Sequence, residues 1–138
     1  MPEIFTKGLK TNTRQWSDLD LDFKSHPVTD DIIKKTDVEA IKRSVRNLVL
    51  TNRFERPFHP EIGSGITGTL FELVSPTTAV VLQSQIREVL TNYEPRARLI
   101  DISVLGDIDK NGYYVTIEFQ PINMPNPVTI ELFLERLR

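Results

Sequence analysis

The feature that most constrains this chain is a change of hydrophobic period at Pro95. Upstream of it, apolar residues such as Val38, Ile41 and Val45 recur at the spacing of an amphipathic helix. From Arg98 onward, apolar and polar residues alternate, which is typical of half-buried strands. Helices first and strands last predict an α+β fold, with helices on one face of a small antiparallel sheet formed by the C-terminal half. The other face and both edges of that sheet then need an explanation.

Two main helices and one short helix are expected before Pro95. The first begins near Asp37, a residue type that caps helix N-termini. After a loop rich in proline and glycine, the apolar stretch over residues 70–74 predicts the short helix. Ser75 and Pro76 then form a cap followed by proline at the first helical position, where its missing N–H costs nothing. Pro95 ends this last helix, because the residue before a proline avoids helical angles.

Three strands are expected after the helices. Period-two runs cover residues 98–104, 115–119 and 128–134. A turn containing Asn111 and Gly112 joins the first two runs, and this dipeptide is a strong signal for a hairpin. The sequence therefore predicts an antiparallel order for at least these two strands, and leaves the free border of the sheet undetermined.

The N-terminal part lacks helical periodicity, but residues 17–23 alternate acidic with apolar side chains. Period two places the apolar ones, from Leu19 to Phe23, on one side of an extended segment and three carboxylates on the other. The segment is either an edge strand of this domain or an arm that lies on a neighbouring subunit. We expect an extended N-terminal segment over residues 1–35 and a single α+β domain over residues 36–138.

Composition narrows the classes of partner. The 138 residues include 17 Lys and Arg against 19 Asp and Glu, for a formal net charge of −2. Such a balance gives no global field that gathers nucleic acid or an anionic membrane, so neither is an expected partner. The absence of cysteine excludes disulfides, thiolate zinc sites and cysteine nucleophiles. The N-terminus lacks the pattern of a secretory signal, and we expect a protein made in a cytoplasm.

No recognisable catalytic, metal or cofactor motif is present. Residues 63–68 match G-x-G-x-x-G, but no strand precedes them, so we interpret them as a turn rather than a nucleotide site. The two histidines, His26 and His59, both precede prolines in loop-like sequence. Neither lies in a metal-binding or nucleophile motif, and a backbone hydrogen bond in a loop is the better interpretation for both.

Two sets of residues are candidates for binding. Arg43 and Arg46 lie on the basic face of the first helix, and Arg56 follows it, which favours a solvated or partner-facing surface. The triplet Glu94, Pro95 and Arg96 forms a rigid corner between the last helix and the first strand. The planar fork of an arginine suits a bidentate carboxylate, either inside the domain or across an interface. The alternative is an exposed ion pair that contributes at most about 1 kcal/mol.

Several short motifs follow one another in a specific order: Asp18 to Phe23, His26-Pro27 with Thr29, Ala40 to Leu48, Thr51-Asn52, Glu55 to Phe58, Pro60, Gly63, Leu70 to Glu72 and Glu94 to Arg96. This ordered set resembles the contractile-tail baseplate wedge family, which includes wedge subunits of T-even-type phages and a baseplate subunit of type VI secretion systems. The resemblance runs from about residue 16 to at least Arg96. One departure is Asp30, where many relatives carry glycine.

The resemblance implies a structural, non-enzymatic role. Family members join the baseplate wedge around the central tube and offer a strand-sharing domain to the first ring of the tail sheath. The corner of Glu94, Pro95 and Arg96 would contact the helical core bundle of the wedge. Expected partners are therefore other wedge subunits, the sheath subunit by strand addition, and the tail tube or hub. The expected location is the tail baseplate of a virion, assembled in the host cytoplasm.

Two alternatives remain from other functional classes. The family has also carried a lysozyme-like label, and a tail-associated cell-wall glycosidase would use carboxylates such as Glu55, Glu72 or Glu94. A nucleic-acid-binding tail factor would depend on Arg43 and Arg46. The structural role itself depends on backbone hydrogen-bonding capacity that stays unused along the border of the sheet.

Overall fold

The computed structural model describes residues 16–20, 22–122 and 124–137. In these residues three helices and two antiparallel sheets form an α+β fold, as the change of period predicts. The elements are β1 (Ser17–Leu19), β2 (Lys34–Thr36), α1 (Asp37–Leu50), α2 (Ile66–Thr69), α3 (Pro76–Tyr93), β3 (Ala97–Asp107), β4 (Gly112–Pro121) and β5 (Val128–Glu135). The described residues divide into two compact units, one that ends at Ala40 and one that begins at Ile41.

The first unit contains a small antiparallel pair of β1 and β2, with Leu19 opposite Lys34. This pair is a sheet of its own and not an edge of the sheet that β3, β4 and β5 form, so it does not decide between the edge-strand and arm alternatives. The predicted alternation stops early: Leu19 is 56% exposed, Asp20 is buried, and Phe23 has a left-handed φ of 51°. The turn explains this, because the Phe23 N–H donates to the Asp20 carbonyl at 3.0 Å. Leu21 lies outside the described residues.

Helix α1 begins at Asp37 as predicted and buries its apolar stripe, which includes Ile41, Val45 and Val49. The short helix was placed wrongly. It is α2, which lies upstream of the predicted stretch, and Leu73 of that stretch is 71% exposed. The N-terminus of the next helix explains why residues 70–74 are not helical. Ser75 precedes a proline and caps α3, so its backbone is extended, with φ of −148° and ψ of 159°, and a helix cannot continue through it.

Helix α3 follows the prediction at both ends. The Ser75 hydroxyl accepts a hydrogen bond from the Thr78 N–H at 3.1 Å, and Pro76 occupies the first turn. The helix ends at Tyr93, one residue before the C-cap Glu94. Its buried stripe consists of Thr78, Ala79, Leu82, Ile86, Val89 and Leu90. The capping hydroxyl and the proline together fix where this stripe begins.

The larger sheet has the order β3-β4-β5, and both pairings are antiparallel. Its inner face contains the fully buried side chains of the central strand: Tyr113, Val115, Ile117 and Phe119. A bulge in β3 skips Ile100 between Leu99 and Asp101, and Ile100 is 48% exposed. The expected alternation therefore holds for Ile102 but fails at Ile100, because a bulged residue has no opposite partner.

Candidate interaction sites

The corner of Glu94, Pro95 and Arg96 joins α3 to β3 and contains a bidentate ion pair. Arg96 Nε donates to Glu94 Oε1 at 2.7 Å, and Arg96 Nη2 donates to Glu94 Oε2 at 2.9 Å. The Glu94 side chain is 2% exposed and that of Arg96 is 25% exposed, whereas Pro95 is exposed. The predicted alternative of an exposed ion pair is therefore wrong, because the carboxylate is buried and bound by both nitrogens.

Two opposing effects act on the Glu94 carboxyl. Burial raises its pKa, but hydrogen bonds from Arg96 and Ser44 and the charge of Arg96 together lower the pKa below the ordinary 4.5. Glu94 is therefore ionised at neutral pH. A general acid of a glycosidase needs a raised pKa, so this carboxyl has the wrong electrostatics for that chemistry.

The basic candidates lie on and after α1. Arg46 and Arg56 are exposed, and Arg43 is half-buried. Ser44 of the same helix hydrogen-bonds to Glu94, so α1 approaches the corner through the neighbour of Arg43. Sequence reasoning missed Ser44, since a serine on a polar helix face carries no signal for a distant carboxylate.

The glycine-containing segment of residues 63–68 has a backbone role at Gly63. Its φ is 151°, and a Cβ at this position would lie 2.5 Å from the carbonyl oxygen of Asn52. Ser64 forms a bridge with Asn52, and the Ser64 hydroxyl donates to the Val49 carbonyl at 2.7 Å. The segment therefore holds the loop against the end of α1, and only glycine permits this close approach.

The described residues contain no group of three histidine or acidic side chains that could hold a metal ion. His26 Nδ1 accepts from the Val28 N–H at 3.3 Å, as predicted for a loop histidine. His59 Nδ1 lies 3.1 Å from Glu61 Oε1, so its partner is a carboxylate rather than backbone. In the same part of the chain, no helix has the length and apolar character to cross a membrane.

One contact at the end of β5 shows which of its residues form backbone hydrogen bonds with β4 and which point away from it. The Arg136 N–H donates to the Asn111 carbonyl at 2.9 Å, and this pair continues the register in which Glu135 lies opposite Gly112. Opposed residues of an antiparallel pair alternate between exchanging both hydrogen bonds and exchanging none. The even-numbered residues of β5, such as Leu132, therefore bond to β4.

The odd-numbered residues of β5 direct their backbone N–H and C=O groups away from β4. They are Thr129, Glu131, Phe133 and Glu135. None of these outward backbone groups has a hydrogen-bond partner among the described residues. Beyond the strand, the Leu137 N–H donates to the Leu70 carbonyl at 3.0 Å. In the described part of the chain, β5 is thus an open edge.

The opposite edge, β3, is partly covered. By the same alternation, and after the phase change at the bulge, Ile102, Val104 and Gly106 point outward. Gln83 of α3 donates through Nε2 to the Ile102 carbonyl at 2.5 Å. Val104 and Gly106 line an apolar cleft of about 350 Å³, whose other lining residues include Val74, Ser75, Pro76, Ala79 and Val80. The two borders of the sheet therefore differ in what covers them.

The chain is similar to known proteins in both sequence and fold. A model of the family described as baseplate wedge protein gp25 matches residues 35–125. The baseplate wedge protein gp25 of Enterobacteria phage T4 is 30% identical over 113 residues, which make up 82% of this chain and 85% of that protein.

Two solved structures share the fold. A crystal structure of a protein called a tail lysozyme, from Geobacter sulfurreducens, has a TM-score of 0.60 and 25% identity and covers 70% of this chain and 90% of that one. A chain of the anti-feeding prophage baseplate has a TM-score of 0.61 at 20% identity and covers 89% of this chain and 87% of that one. From the family match and the phage T4 relative, we conclude that the chain belongs to the gp25 family of contractile-tail baseplate wedge proteins.

Proposed function

We propose that this baseplate wedge protein is a non-enzymatic adaptor that starts sheath assembly by accepting a strand of the tail sheath subunit along β5. The observation that carries the proposal is the row of outward backbone groups from Thr129 to Glu135, which lack partners in the described residues. An open sheet edge binds an extended segment through backbone hydrogen bonds and reads its sequence through alternate side chains.

The edge is held in position before any partner arrives. Arg136 Nε donates to the Glu72 carbonyl at 2.9 Å, and the backbone of Leu137 bonds to Leu70, so the end of β5 is anchored without being covered. Each backbone hydrogen bond to an added strand contributes about 1 kcal/mol net. Because β5 is already ordered, little of this gain is lost to fixing the strand.

The corner is proposed to bind the helical core bundle formed by other wedge subunits. Pro95 is exposed and Arg96 is partly exposed, so these two residues form the contact surface. Glu94 is a positioning residue, because its buried carboxylate holds the guanidinium of Arg96 in one orientation.

The basic residues on and after α1 are proposed to contact the same assembly. They are the exposed Arg46 and Arg56 and the half-buried Arg43. The tail tube or hub is proposed as a further partner.

The proposed place of action is the tail baseplate of a virion, after assembly in the host cytoplasm. The absence of enzymatic activity is also part of the proposal. It is supported by the lowered pKa of Glu94, which keeps this carboxyl ionised, and by the wedge-protein family of the chain. Glu55, another candidate acid, is exposed and accepts a hydrogen bond from the Asn52 N–H at 2.8 Å, so it lacks the buried, apolar surroundings of a general acid.

Strand addition is tested with proline at an outward position. Glu131→Pro removes one outward N–H, and proline is tolerated on an edge strand at such a position. We expect a folded protein that enters baseplates but no longer supports sheath polymerisation, measured by electron microscopy of reconstituted baseplates with purified sheath subunit. Glu131→Ala is the matched control and should support polymerisation. Normal sheath growth on Glu131→Pro baseplates would contradict strand addition along β5.

The corner is tested by a change that spares its ion pair. Pro95→Asp places a charge on the exposed surface, and we expect an unchanged melting temperature with loss of incorporation into wedges, measured by copurification. Pro125→Asp, at an exposed proline between β4 and β5, is the matched control. Incorporation of the Pro95 variant at the level of the control would remove the proposed role of the corner.

The glycosidase alternative rests on the name of the Geobacter sulfurreducens protein alone. Incubation of the purified chain with peptidoglycan tests it directly, and we expect no loss of turbidity. Loss of turbidity that disappears in Glu55→Gln, Glu72→Gln or Glu94→Gln variants would overturn the non-enzymatic assignment. DNA retention that depends on Arg43 and Arg46 would favour the nucleic-acid alternative.

A further inference from the structure

The face of the larger sheet opposite its buried side carries an apolar row. Leu105, Tyr114 and Phe133 lie directly opposite one another across the three strands. They are 66%, 40% and 43% exposed. The rings of Tyr114 and Phe133 contact each other, with centroids 5.0 Å apart. This row, with the side chains around it on the same face, is called the outer face below.

Carboxylates surround the apolar row. By strand alternation, the acidic residues of the outer face are Asp101, Asp107, Glu118, Glu131 and Glu135. Two cations lie on the same face: Arg98 near one end, and Lys110, whose Nζ donates to the Tyr114 hydroxyl and lies 5.0 Å from the centroid of that ring. The strands thus present a clear excess of negative charge around an exposed apolar centre.

One pair of acids has an energetic cost in the isolated chain. Asp101 and Glu118 are directly opposite each other on β3 and β4. Opposed residues have Cβ atoms about 5 Å apart, and like charges at this separation destabilise the pairing of the strands. A cation that a partner places between the two carboxylates would attract both of them and offset their mutual repulsion. The sheet therefore gains more from a basic occupant of the outer face than from a neutral one.

We infer that the outer face binds an amphipathic helix of another polypeptide, whose apolar stripe covers the Leu105, Tyr114 and Phe133 row and is flanked by lysine or arginine. Neighbouring strands lie about 4.8 Å apart, so the row spans about 10 Å. Two turns of helix, with apolar residues at i, i+3 or i+4 and i+7, cover the same distance. Asp107, Glu131 and Glu135 lie about 7 Å from the row along the strands, and Asp101 and Glu118 lie about 13 Å from it on one side. Lysine or arginine on the flanks of the helix extends toward both sets.

This surface is distinct from the one proposed for the sheath. Strand addition uses the backbone groups along the border of β5, whereas the outer face binds through side chains of all three strands. A nucleic acid or an anionic membrane would be repelled by the same carboxylates. A second copy of this chain, docked through its basic α1 surface, is the remaining alternative occupant and is separated by the experiment.

The experiment uses the full chain and two synthetic helical peptides of about 18 residues, the length at which isolated helices become stable. Both carry the same leucine stripe, flanked by lysine in one peptide and by glutamate in the other. We expect the lysine peptide to bind in isothermal titration calorimetry and to shift amide resonances of residues 101–105, 114–118 and 129–135. The glutamate peptide should bind at least tenfold more weakly.

Variants of the face locate the binding. Asp101→Asn with Glu118→Gln should weaken lysine-peptide binding by about tenfold and raise the melting temperature slightly, because the pair of like charges is gone. Leu105→Ser should weaken binding by a similar factor at an unchanged melting temperature. The control for charge is Asp109→Asn with Glu72→Gln, both exposed and off the face. The control for apolar area is Val28→Ser, which is 84% exposed in the native chain. Equal binding by both peptides, or equal losses in variants and controls, would overturn the inference.

Two further measurements exclude the other occupants. Sedimentation velocity should show that the chain remains monomeric. Self-association that the Asp101 and Glu118 variant abolishes would identify a second copy as the occupant and refute our assignment. In assembled tails, a photo-crosslinking residue at position 105 should capture a basic helical segment of another protein. Capture of an acidic segment, or no capture, would also refute it. Glu131→Pro and Glu131→Ala lose the same carboxylate and should bind the lysine peptide equally, whereas only Glu131→Pro should block sheath growth, which separates this inference from strand addition.

Discussion

The two borders of the larger sheet have the same backbone chemistry but different surroundings. On the β3 side, α3 runs alongside the strand, Gln83 caps the Ile102 carbonyl, and the Arg96 and Glu94 pair fixes the start of the strand. On the β5 side, the chain anchors the end of the strand through Leu137 and then leaves the border uncovered in the described residues. Every edge strand offers the same unpaired backbone N–H and C=O groups, so whether an edge is open depends on the segments that pack beside it.

The largest expected effect is an alternation of hydrogen exchange along β5. Amides of Glu131 and Phe133 point outward, whereas those of Leu132 and Leu134 bond to β4 and require opening of the sheet before they exchange. We expect exchange rates to differ by about 10³ between the two sets, measured by NMR on the isolated chain. Equal protection of both sets would show that something covers this edge.

A smaller effect is expected from the corner at the start of β3. Arg96→Ala leaves the buried Glu94 carboxylate without its bidentate partner and should lower the free energy of unfolding by about 3 kcal/mol. Arg98→Ala, at an exposed position two residues later in β3, should change it by less than about 0.5 kcal/mol. Chemical denaturation of both variants measures the difference. Similar values for the two would mean that the corner does not anchor the β3 side.

Removal of the edge cap should have a still smaller effect. Gln83→Ala takes the side-chain donor away from the Ile102 carbonyl and should cost about 1 kcal/mol. The corresponding change on the open edge, Glu131→Ala, should cost less than about 0.5 kcal/mol because no intrachain hydrogen bond of the described residues is lost. Melting temperatures of the two variants test the comparison, and an equal loss would contradict it.

The smallest expected effect is a pH dependence at the corner. The pKa of Glu94 is lowered in the folded chain, so its ionised form adds stability above the ordinary pKa of 4.5, and this part is lost as the pH falls through the folded pKa. Glu94→Gln should therefore show a shallower decrease of unfolding free energy on acidification below 4.5 than the native chain does. Identical slopes in urea titrations at several pH values would contradict the assignment.

Local patterns predicted most of the elements. The cap at Ser75, the stop before Pro95 and the hairpin turn at Asn111 and Gly112 all depend on backbone preferences of a few neighbouring residues, so they were confirmed. The errors were at places where an adjoining element overrides a local pattern. Residues 70–74 are apolar enough for a helix, but the cap of α3 keeps Ser75 extended and leaves them without one. The bulge at Ile100 likewise cannot be read from alternation.

The candidate sites were predictable in their residues but not in their geometry. The sequence identified Glu94, Pro95 and Arg96 as a rigid corner and left open whether the arginine meets its carboxylate inside the domain. Only the tertiary structure shows that Glu94 is buried and receives a further hydrogen bond from Ser44, far away along the chain. A long-range contact of this kind depends on how α1 approaches the corner, and no local pattern contains that information.

The sequence by itself determined the order of helices and strands, because backbone preferences and hydrophobic period act over a few neighbouring residues. The tertiary structure alone decided which border of the sheet is open. That choice depends on where α3 packs and on the phase of the β4 and β5 ladder, which sets the outward direction of Glu131. Both are properties of residues that are distant along the chain and close in space.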